Sequence, residues 1–212
     1  METFPNHPNY IIKREIGKGA FGSVFEVIDT SDNNKSYAIK KMEIRNEDKI
    51  KEMENEVEVL SNFNSEYIVK YFDSFYDNNF FYIVMEYCGN SNLAKFIDEH
   101  KKKNDLIDEN IIFSILKNIC LGLKEIHSND IIHRDLNPSN IFFWGKFKIK
   151  IGDFGISKKL NRQIYTNSNV GCFRYMAPEI SQKKTKYNNK VDIWSLGCIA
   201  YELLTLDYYY NV

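Results

Sequence analysis

Two short polar stretches constrain what this chain can fold into more than any other feature. The first, at 131–140, reads IIHRDLNPSN, and the second, at 150–155, reads KIGDFG. The apolar runs at 141–143 and 147–151 predict a β-hairpin that returns the chain from one stretch to the other. The hairpin would bring together three oxygen-bearing side chains, those of Asp135, Asn140 and Asp153. Mg²⁺ prefers such oxygens, and charged groups beside buried strands are costly without a partner, so the pattern predicts a magnesium site rather than a surface turn.

The two stretches contain the motif H-R-D-L-x-x-x-N followed by D-F-G, which is the protein-kinase signature. On these residues the chain resembles a eukaryotic protein kinase. The resemblance implies an α+β fold with two lobes, a small lobe of five strands and one helix and a mainly helical large lobe. The small lobe would occupy residues 1–85, the hinge 86–89 and the large lobe 90–212. Family members continue through further helices, so we expect a C-terminally truncated chain in which Glu179 lacks its family arginine.

A glycine-rich segment follows the first predicted strand, at 10–16. Gly17, Gly19 and Gly22 form the pattern G-x-G-x-x-G, whose backbone N–H groups can approach phosphates closely. A dinucleotide-binding fingerprint would open into a helix. Residues 23–28 are instead mostly apolar and predict a second strand. The order strand, glycine loop, strand therefore favours the ATP loop of a kinase.

The strand predicted at 36–42 contains two consecutive lysines, and strand alternation chooses between them. Ala38 and Lys40 share one face, so a small residue over the adenine would place Lys40 toward the phosphates. Lys41 would then point to solvent. As a lysine at a strand end in a cleft, Lys40 is expected to contribute little to stability.

A helix predicted at 46–63 should supply the glutamate that holds this lysine. Its apolar residues recur at helical spacing and form one stripe, made of Ile50, Met53, Val57 and Leu60. Periodicity leaves Glu54 and Glu56 equally placed, one on each margin of the stripe. Spacing in the kinase family favours Glu56.

The resemblance implies phosphoryl transfer from ATP to a Ser/Thr hydroxyl of a protein substrate, with Mg²⁺. Lys40, held by Glu56, would grip the α- and β-phosphates. Asn140 and Asp153 would hold Mg²⁺, and Asp135 would orient the acceptor hydroxyl and take its proton. The residues implied to contact ATP come from the glycine loop, the next strands, the hinge and the hairpin: Gly17, Gly19, Gly22, Val24, Ala38, Lys40, Glu56, Met85, Glu86, Cys88 and Phe142.

Other residues receive structural roles or none. The resemblance implies that Asp192 braces the backbone of the catalytic loop, and we expect His133 to pack and hydrogen-bond rather than act as a base. His7, His100 and His127 are isolated in the sequence and receive no role.

Two positions depart from the serine/threonine-kinase pattern. Asn137 stands where these kinases usually have lysine, and Cys172 stands where they usually have threonine. In the family the two side chains and the catalytic aspartate form one cluster at the γ-phosphate. Asn137 supplies hydrogen bonds but no charge, and a thiol is a weak hydrogen bonder, so we expect a weakened clamp on the γ-phosphate.

Arg134, directly before the catalytic aspartate, is typical of kinases whose activation segment is ordered by phosphorylation. The candidate acceptors are Thr166 and Ser168, with Tyr165 less favoured.

Composition limits the binding partners and the cellular compartment that we expect for this chain. The net charge is −1 and the pI about 6.4, which gives no argument for nucleic acid or an anionic membrane. The four cysteines are scattered, as expected for reduced thiols in a cytoplasmic or nuclear protein. No apolar run approaches membrane-spanning length. We expect ATP and a protein substrate as partners, and a regulatory partner over the truncated lobe.

Two alternatives to an active serine/threonine kinase remain open. One is a pseudokinase or scaffold that binds nucleotide without transferring phosphate, and the other is an incomplete, inactive fragment. Within the kinases, residues 81–88 and 187–194 most resemble the NimA-related group. Residues 138–143 equally resemble the kinases of translation initiation factor 2α, and we favour the NimA-related group.

Overall fold

The structure is a computed structural model that describes residues 3–4, 6–19, 22–89, 91–155, 157–159, 172–181 and 187–209. The chain divides into two compact units. The first comprises Met1–Asn64 and Val69–Tyr87, and the second comprises Ser65–Ile68 and Cys88–Val212.

The first unit consists of an antiparallel sheet and one helix. Its elements in chain order are β1 (Thr3–Phe4), β2 (His7–Gly19), β3 (Gly22–Asp29), β4 (Lys35–Glu43), α1 (Glu47–Ser61), β5 (Tyr71–Asp77) and β6 (Phe80–Glu86). The strands form a six-stranded sheet in the order β1-β2-β3-β4-β6-β5. The sheet has one strand more than the five predicted, because β1 pairs with β2. Strand β5 begins at Tyr71, and the upstream residue Ile68 forms an isolated bridge with Ile151 in the second unit.

An aromatic core holds the additional strand. Phe4 is buried, and its ring meets that of Tyr82 edge-on at 5.0 Å and those of Phe25 and Phe75 at 6.4 Å. Large aromatic side chains contribute most of the area that a core buries. Two strand residues are too few to show any alternation in the sequence, so only this packing reveals β1.

Helix α1 begins where the sequence predicts it. The side chain of Asn46 caps the helix by accepting a hydrogen bond from the backbone N–H of Lys49 at 2.9 Å. Its buried residues are Met53, Glu56, Val59 and Leu60. The buried face is therefore rotated from the predicted stripe, since Val57 is only half-buried and Glu56 is buried.

The second unit is mainly helical. Its helices are α2 (Leu93–Lys103), α3 (Glu109–Ser128), α4 (Pro178–Ser181) and α5 (Lys190–Thr205), and its short strands are β7 (Ile131–Ile132), β8 (Ile141–Phe143), β9 (Ile149–Ile151) and β10 (Lys158–Lys159). β8 and β9 pair antiparallel and form the predicted hairpin. Together the two units confirm the predicted α+β class.

Helix α3 contributes a wide buried face to the core of the second unit. Ile115, Ile119 and Ile126 are fully buried. A Cβ atom on Gly122 would lie 2.8 Å from the side chain of Ile151, so glycine is what lets α3 approach β9 so closely. Within the described ranges, no helix combines the length and the apolar character needed to cross a membrane.

Candidate active site

Lys40 and Glu56 form a buried ion pair in the first unit. The Nζ atom of Lys40, on β4, lies 2.7 and 3.0 Å from the two carboxylate oxygens of Glu56, on α1. The side chains are 7% and 2% exposed. Glu54, which periodicity placed equally well, is exposed and accepts a 3.4 Å hydrogen bond from Tyr76. The rotation of α1 on the sheet thus turns Glu56 toward Lys40 and leaves Glu54 exposed.

Three of the other predicted nucleotide residues of this unit, Val24, Ala38 and Met85, share the sheet face of Lys40. Residues directly opposite on paired strands project to the same face. β3 and β4 place Val24 opposite Lys40, and β4 and β6 place Met85 opposite Ala38. Strand alternation puts Ala38 on that face with Lys40, as predicted. Glu86 ends β6 and is half-buried.

At one position of the glycine-rich segment, the backbone conformation requires glycine. Gly22 has φ +129°, and a Cβ atom there would lie 2.1 Å from the carbonyl oxygen of Lys41. Gly17 and Gly19 end β2 on the other side of the segment. Only glycine tolerates both the conformation and the close approach at Gly22.

Asp135 is the centre of a hydrogen-bonded cluster in the second unit. Its Oδ1 atom accepts from the amide of Asn137 and from the backbone N–H of Cys172, both at 3.0 Å. Its Oδ2 atom accepts from the amide of Asn140 at 3.1 Å. The carboxylate is therefore fixed in direction by three donors from two segments of the chain.

The loop that carries Asp135 is shaped by a capped turn. The side chain of Asn137 accepts a hydrogen bond from the backbone N–H of Ser139 at 2.9 Å and caps the 3₁₀ turn Pro138–Asn140. Proline suits the first position of such a turn because its φ is already set and it has no N–H to satisfy. The turn returns Asn140 to Asp135.

Asp192, on α5, braces the backbone of this loop from a fully buried position. Its two carboxylate oxygens accept from the backbone N–H groups of His133 at 3.0 Å and Arg134 at 2.9 Å. The left-handed conformation of Arg134, with φ +70°, turns consecutive N–H groups toward one anion. The predicted bracing role is confirmed.

His127 contributes to the same brace, although its sequence context suggested no role. Its Nε2 atom lies 2.8 Å from Oδ2 of Asp192, 65 residues away in the chain. The only signal in the sequence is its position next to Ile126, at the end of the buried stripe of α3. That signal is weak, because it does not identify the residue that His127 contacts.

His133 is a packing residue, as predicted. It is fully buried, its Nε2 atom lies 3.1 Å from the carbonyl oxygen of Gly152, and its ring meets Phe154 edge-on at 4.9 Å. These contacts join the loop of Asp135 to the segment of Asp153.

The β8–β9 hairpin brings Asn140 and Asp153 to one end. Ile141 pairs with Ile151, and the backbone N–H of Gly152 donates to the carbonyl of Asn140 at 2.9 Å. Asp153 itself has a left-handed backbone, with φ +60°, a strain typical of functional sites. Phe142 lies on β8 and Cys88 begins the longer segment of this unit, and both are half-buried.

Asn140 and Asp153 suit Mg²⁺ by their chemistry. An amide oxygen and a carboxylate are hard ligands, and Mg²⁺ usually takes only one or two groups from protein. Among the described residues, no three His, Cys, Asp or Glu side chains are grouped as a metal site. A magnesium ion here would therefore take its remaining ligands from phosphate and water.

Comparison with known proteins decides the family. The sequence model of the protein kinase domain family matches residues 10–211, nearly the whole chain. The chain belongs to the protein kinase domain family.

Curated relatives of this kinase domain are serine/threonine-protein kinases. The chain is 41% identical to Serine/threonine-protein kinase Nek1 of Mus musculus, over 93% of the chain and 16% of that protein. It is 38% identical to pakH of Dictyostelium discoideum, over 92% of the chain and 37% of that protein. It is 35% identical to Nek2 of Homo sapiens, over 93% and 46%. The chain thus spans less than half the length of these three relatives, and the Nek names support the NimA-related resemblance.

The two departures of this kinase domain from the serine/threonine pattern lie together at Asp135. Asn137 is buried and uses its amide on Asp135 and Ser139, whereas Cys172 contributes its backbone N–H and keeps an exposed side chain. Partial desolvation of the Cys172 thiol is the main cause that raises its pKa, although the residue as a whole is exposed. Neither side chain brings a positive charge to the cluster.

The activation segment of the kinase domain is described only in part. Thr166, Ser168 and Tyr165 lie outside the described residues. Arg134 is buried, which lowers the pKa of its guanidinium, and it lies 5.8 Å from the ring centre of Tyr187. Glu179 is half-buried, and no ion pair joins it to another described residue.

Proposed function

We propose that this kinase domain transfers the γ-phosphate of ATP to serine or threonine hydroxyls of a protein substrate. The carboxylate of Asp135 carries the proposal. A carboxylate offers about four lone-pair positions. Among the described residues, two donors occupy Oδ1 and one occupies Oδ2, which leaves Oδ2 a position that can accept the proton of an incoming hydroxyl.

The remaining groups divide the work of positioning and neutralising charge. Lys40, oriented by Glu56, would bind the α- and β-phosphates, with Val24 and Ala38 against the adenine. Asn140 and Asp153 would hold Mg²⁺, which when bound neutralises charge on the phosphates. Asp135 orients the acceptor hydroxyl and takes its proton.

The clamp on the γ-phosphate is proposed to be weak. Asn137 occupies the position at which related kinases have a lysine, and its amide is neutral. Its hydrogen bonds keep Asp135 in place but add no charge where the γ-phosphate develops it. The curated relatives are all named as kinases and give no support to a pseudokinase.

A cytoplasmic or nuclear location is also proposed. Four cysteines without disulfides support it, since oxidising compartments favour paired cysteines. Loss of the native fold of the purified chain under non-reducing conditions would support that location.

Phosphate transfer tests the proposed activity directly. Purified chain, Mg²⁺ and γ-labelled ATP are incubated with peptide mixtures that differ only in a serine, threonine or tyrosine acceptor. We expect transfer to serine and threonine, and a loss of about 10²–10⁴-fold in Asp135→Asn, the usual contribution of a positioned base. Asp105→Asn, which changes an exposed carboxylate of the same unit, is the matched control. Nucleotide binding without any transfer by the wild type would contradict the proposal.

A further inference from the structure

Glu26 is a buried carboxylate on the sheet face that carries the predicted nucleotide residues. Its side chain is 6% exposed. β3 and β4 place Glu26 opposite Ala38 and Val24 opposite Lys40, so the four side chains project to one face. A buried acid on this face requires hydrogen-bond partners.

Three donors from two places in the first unit surround this carboxylate. Oε1 accepts from Lys13 at 3.0 Å, and Oε2 accepts from Arg14 at 2.8 Å and from the Tyr87 hydroxyl at 3.0 Å. Arg14 also donates to the Tyr87 oxygen at 3.1 Å, which closes a triangle. Burial alone would raise the pKa of Glu26, but these hydrogen bonds outweigh burial and lower it.

A β-bulge allows two consecutive residues of β2 to reach the same acid. Neighbouring strand residues normally project to opposite faces. β2 pairs Ile12 with Val27 and Arg14 with Glu26, so Lys13 is an additional residue between two paired positions. Bulges re-aim side chains in this way and are frequent next to active sites.

The network joins two segments that the proposed function uses. Arg14 lies three residues before Gly17, where the glycine-rich segment begins, and Tyr87 follows β6 in the predicted hinge at 86–89. We propose that Glu26 is a positioning residue for nucleotide: through Arg14 and Tyr87 it pre-arranges the glycine-rich segment and the start of the hinge for ATP. This inference rests on the proposed kinase function.

A purely structural role of this network predicts that ATP binding stays unchanged when the network is lost. Lys13 and Arg14 are 45% and 51% exposed, and half-exposed ion pairs contribute little to stability. A pre-arranging network instead lowers the ordering that nucleotide binding demands. Its loss weakens ATP binding and leaves the chemical step alone, because none of its members is assigned to the reacting atoms.

Glu26→Gln tests the inference, since glutamine keeps the shape but has one acceptor oxygen for three donors. We expect both the Kd and the KM for Mg·ATP to rise about 3- to 10-fold, with kcat within about twofold of wild type. Tyr87→Phe should raise Kd about two- to threefold. The double variant should bind no more weakly than Glu26→Gln alone, because Glu26 and Tyr87 act within one network.

Glu43→Gln is the matched control, since Glu43 forms an exposed ion pair with Arg45 in the same sheet. It should leave the Kd for Mg·ATP unchanged. Wild-type Kd in both Glu26→Gln and Tyr87→Phe overturns the inference and leaves the proposed function standing. A fall in kcat with unchanged KM also overturns it. A wild type that does not bind Mg·ATP overturns the proposed function itself. Should Glu26→Gln unfold, Tyr87→Phe alone decides.

Discussion

Lys40 and Glu56 face each other at 2.7 Å with both side chains almost fully buried. The pair changes the expectation that Lys40 contributes little to stability. Removing one member of a buried ion pair leaves the other charge in a poorly solvated site, which usually costs about 3–5 kcal/mol. Activity and stability are therefore coupled at this position.

Lys40→Met should abolish phosphate transfer and lower the free energy of unfolding by about 3–5 kcal/mol. Adding Glu56→Gln to this variant should recover part of the stability and none of the activity, since the buried charge is then removed. Urea unfolding and the transfer assay measure the two effects. Lys41→Met, on the same strand, should keep activity. If Lys40→Met unfolded at the same urea concentration as wild type, the buried-pair argument would be wrong.

Asn137→Lys should raise kcat about 10- to 100-fold, because a charge-assisted hydrogen bond to phosphate contributes about 1.5–3 kcal/mol. The same change removes the cap on Ser139 and should cost about 1 kcal/mol of stability. Cys172→Thr alone should change the rate little, since the lysine partner is missing. Steady-state kinetics with thermal unfolding checks both expectations. A variant at or below the wild-type rate, although folded, refutes the weakened clamp.

Asp192→Asn should lower stability by about 2–4 kcal/mol, since two buried backbone donors and the half-buried His127 lose a charged acceptor. Because two of those donors are backbone groups of the loop before Asp135, kcat should fall as well. Asp207→Asn, an exposed acid just after the same helix, is the control. Chemical denaturation and transfer kinetics are the measurements. Full activity in a stable Asp192→Asn chain would show that the loop holds its shape without the brace.

Glu202 should make stability depend on pH. Burial raises its pKa above the ordinary 4.5, although the Tyr175 hydroxyl donates to it at 2.5 Å and opposes the shift. The folded chain therefore favours the protonated acid. The contribution of Glu202 is complete below about pH 4.5 and is lost as the pH rises through its raised pKa.

The comparison with Glu202→Gln isolates this effect from other titrating groups. The free energy of unfolding of wild type, minus that of Glu202→Gln, should decrease as the pH rises above about 4.5. Tyr175→Phe removes the hydrogen bond that lowers the pKa, so it should move this decrease to higher pH. Urea unfolding across a pH series provides the values. A difference that stays constant or increases with pH contradicts the prediction.

The resemblance of local motifs to the protein-kinase signature implied the α+β class and the candidate catalytic and magnesium residues, and strand alternation favoured Lys40 over Lys41. These features depend on short-range rules. Strand alternation, helical spacing and hairpin length act within about ten residues, and each leaves a visible period or turn signal. The capped turn at Asn137 and the β8–β9 hairpin are built from such neighbouring residues, which is why Asp135, Asn140 and Asp153 could be grouped in advance.

Tertiary structure decided the pairings between distant residues that the residue patterns themselves left open. Glu56 rather than Glu54 meets Lys40 because α1 is rotated on the sheet, and periodicity could not give that rotation. His127 reaches Asp192 across 65 residues. Glu26 contacts both Lys13 and Arg14 because of a β-bulge, which no periodic pattern in the sequence predicts. The rotation of a helix, the register of a strand and the position of a bulge are set by the packing of whole elements. They therefore cannot be predicted from a few residues of sequence.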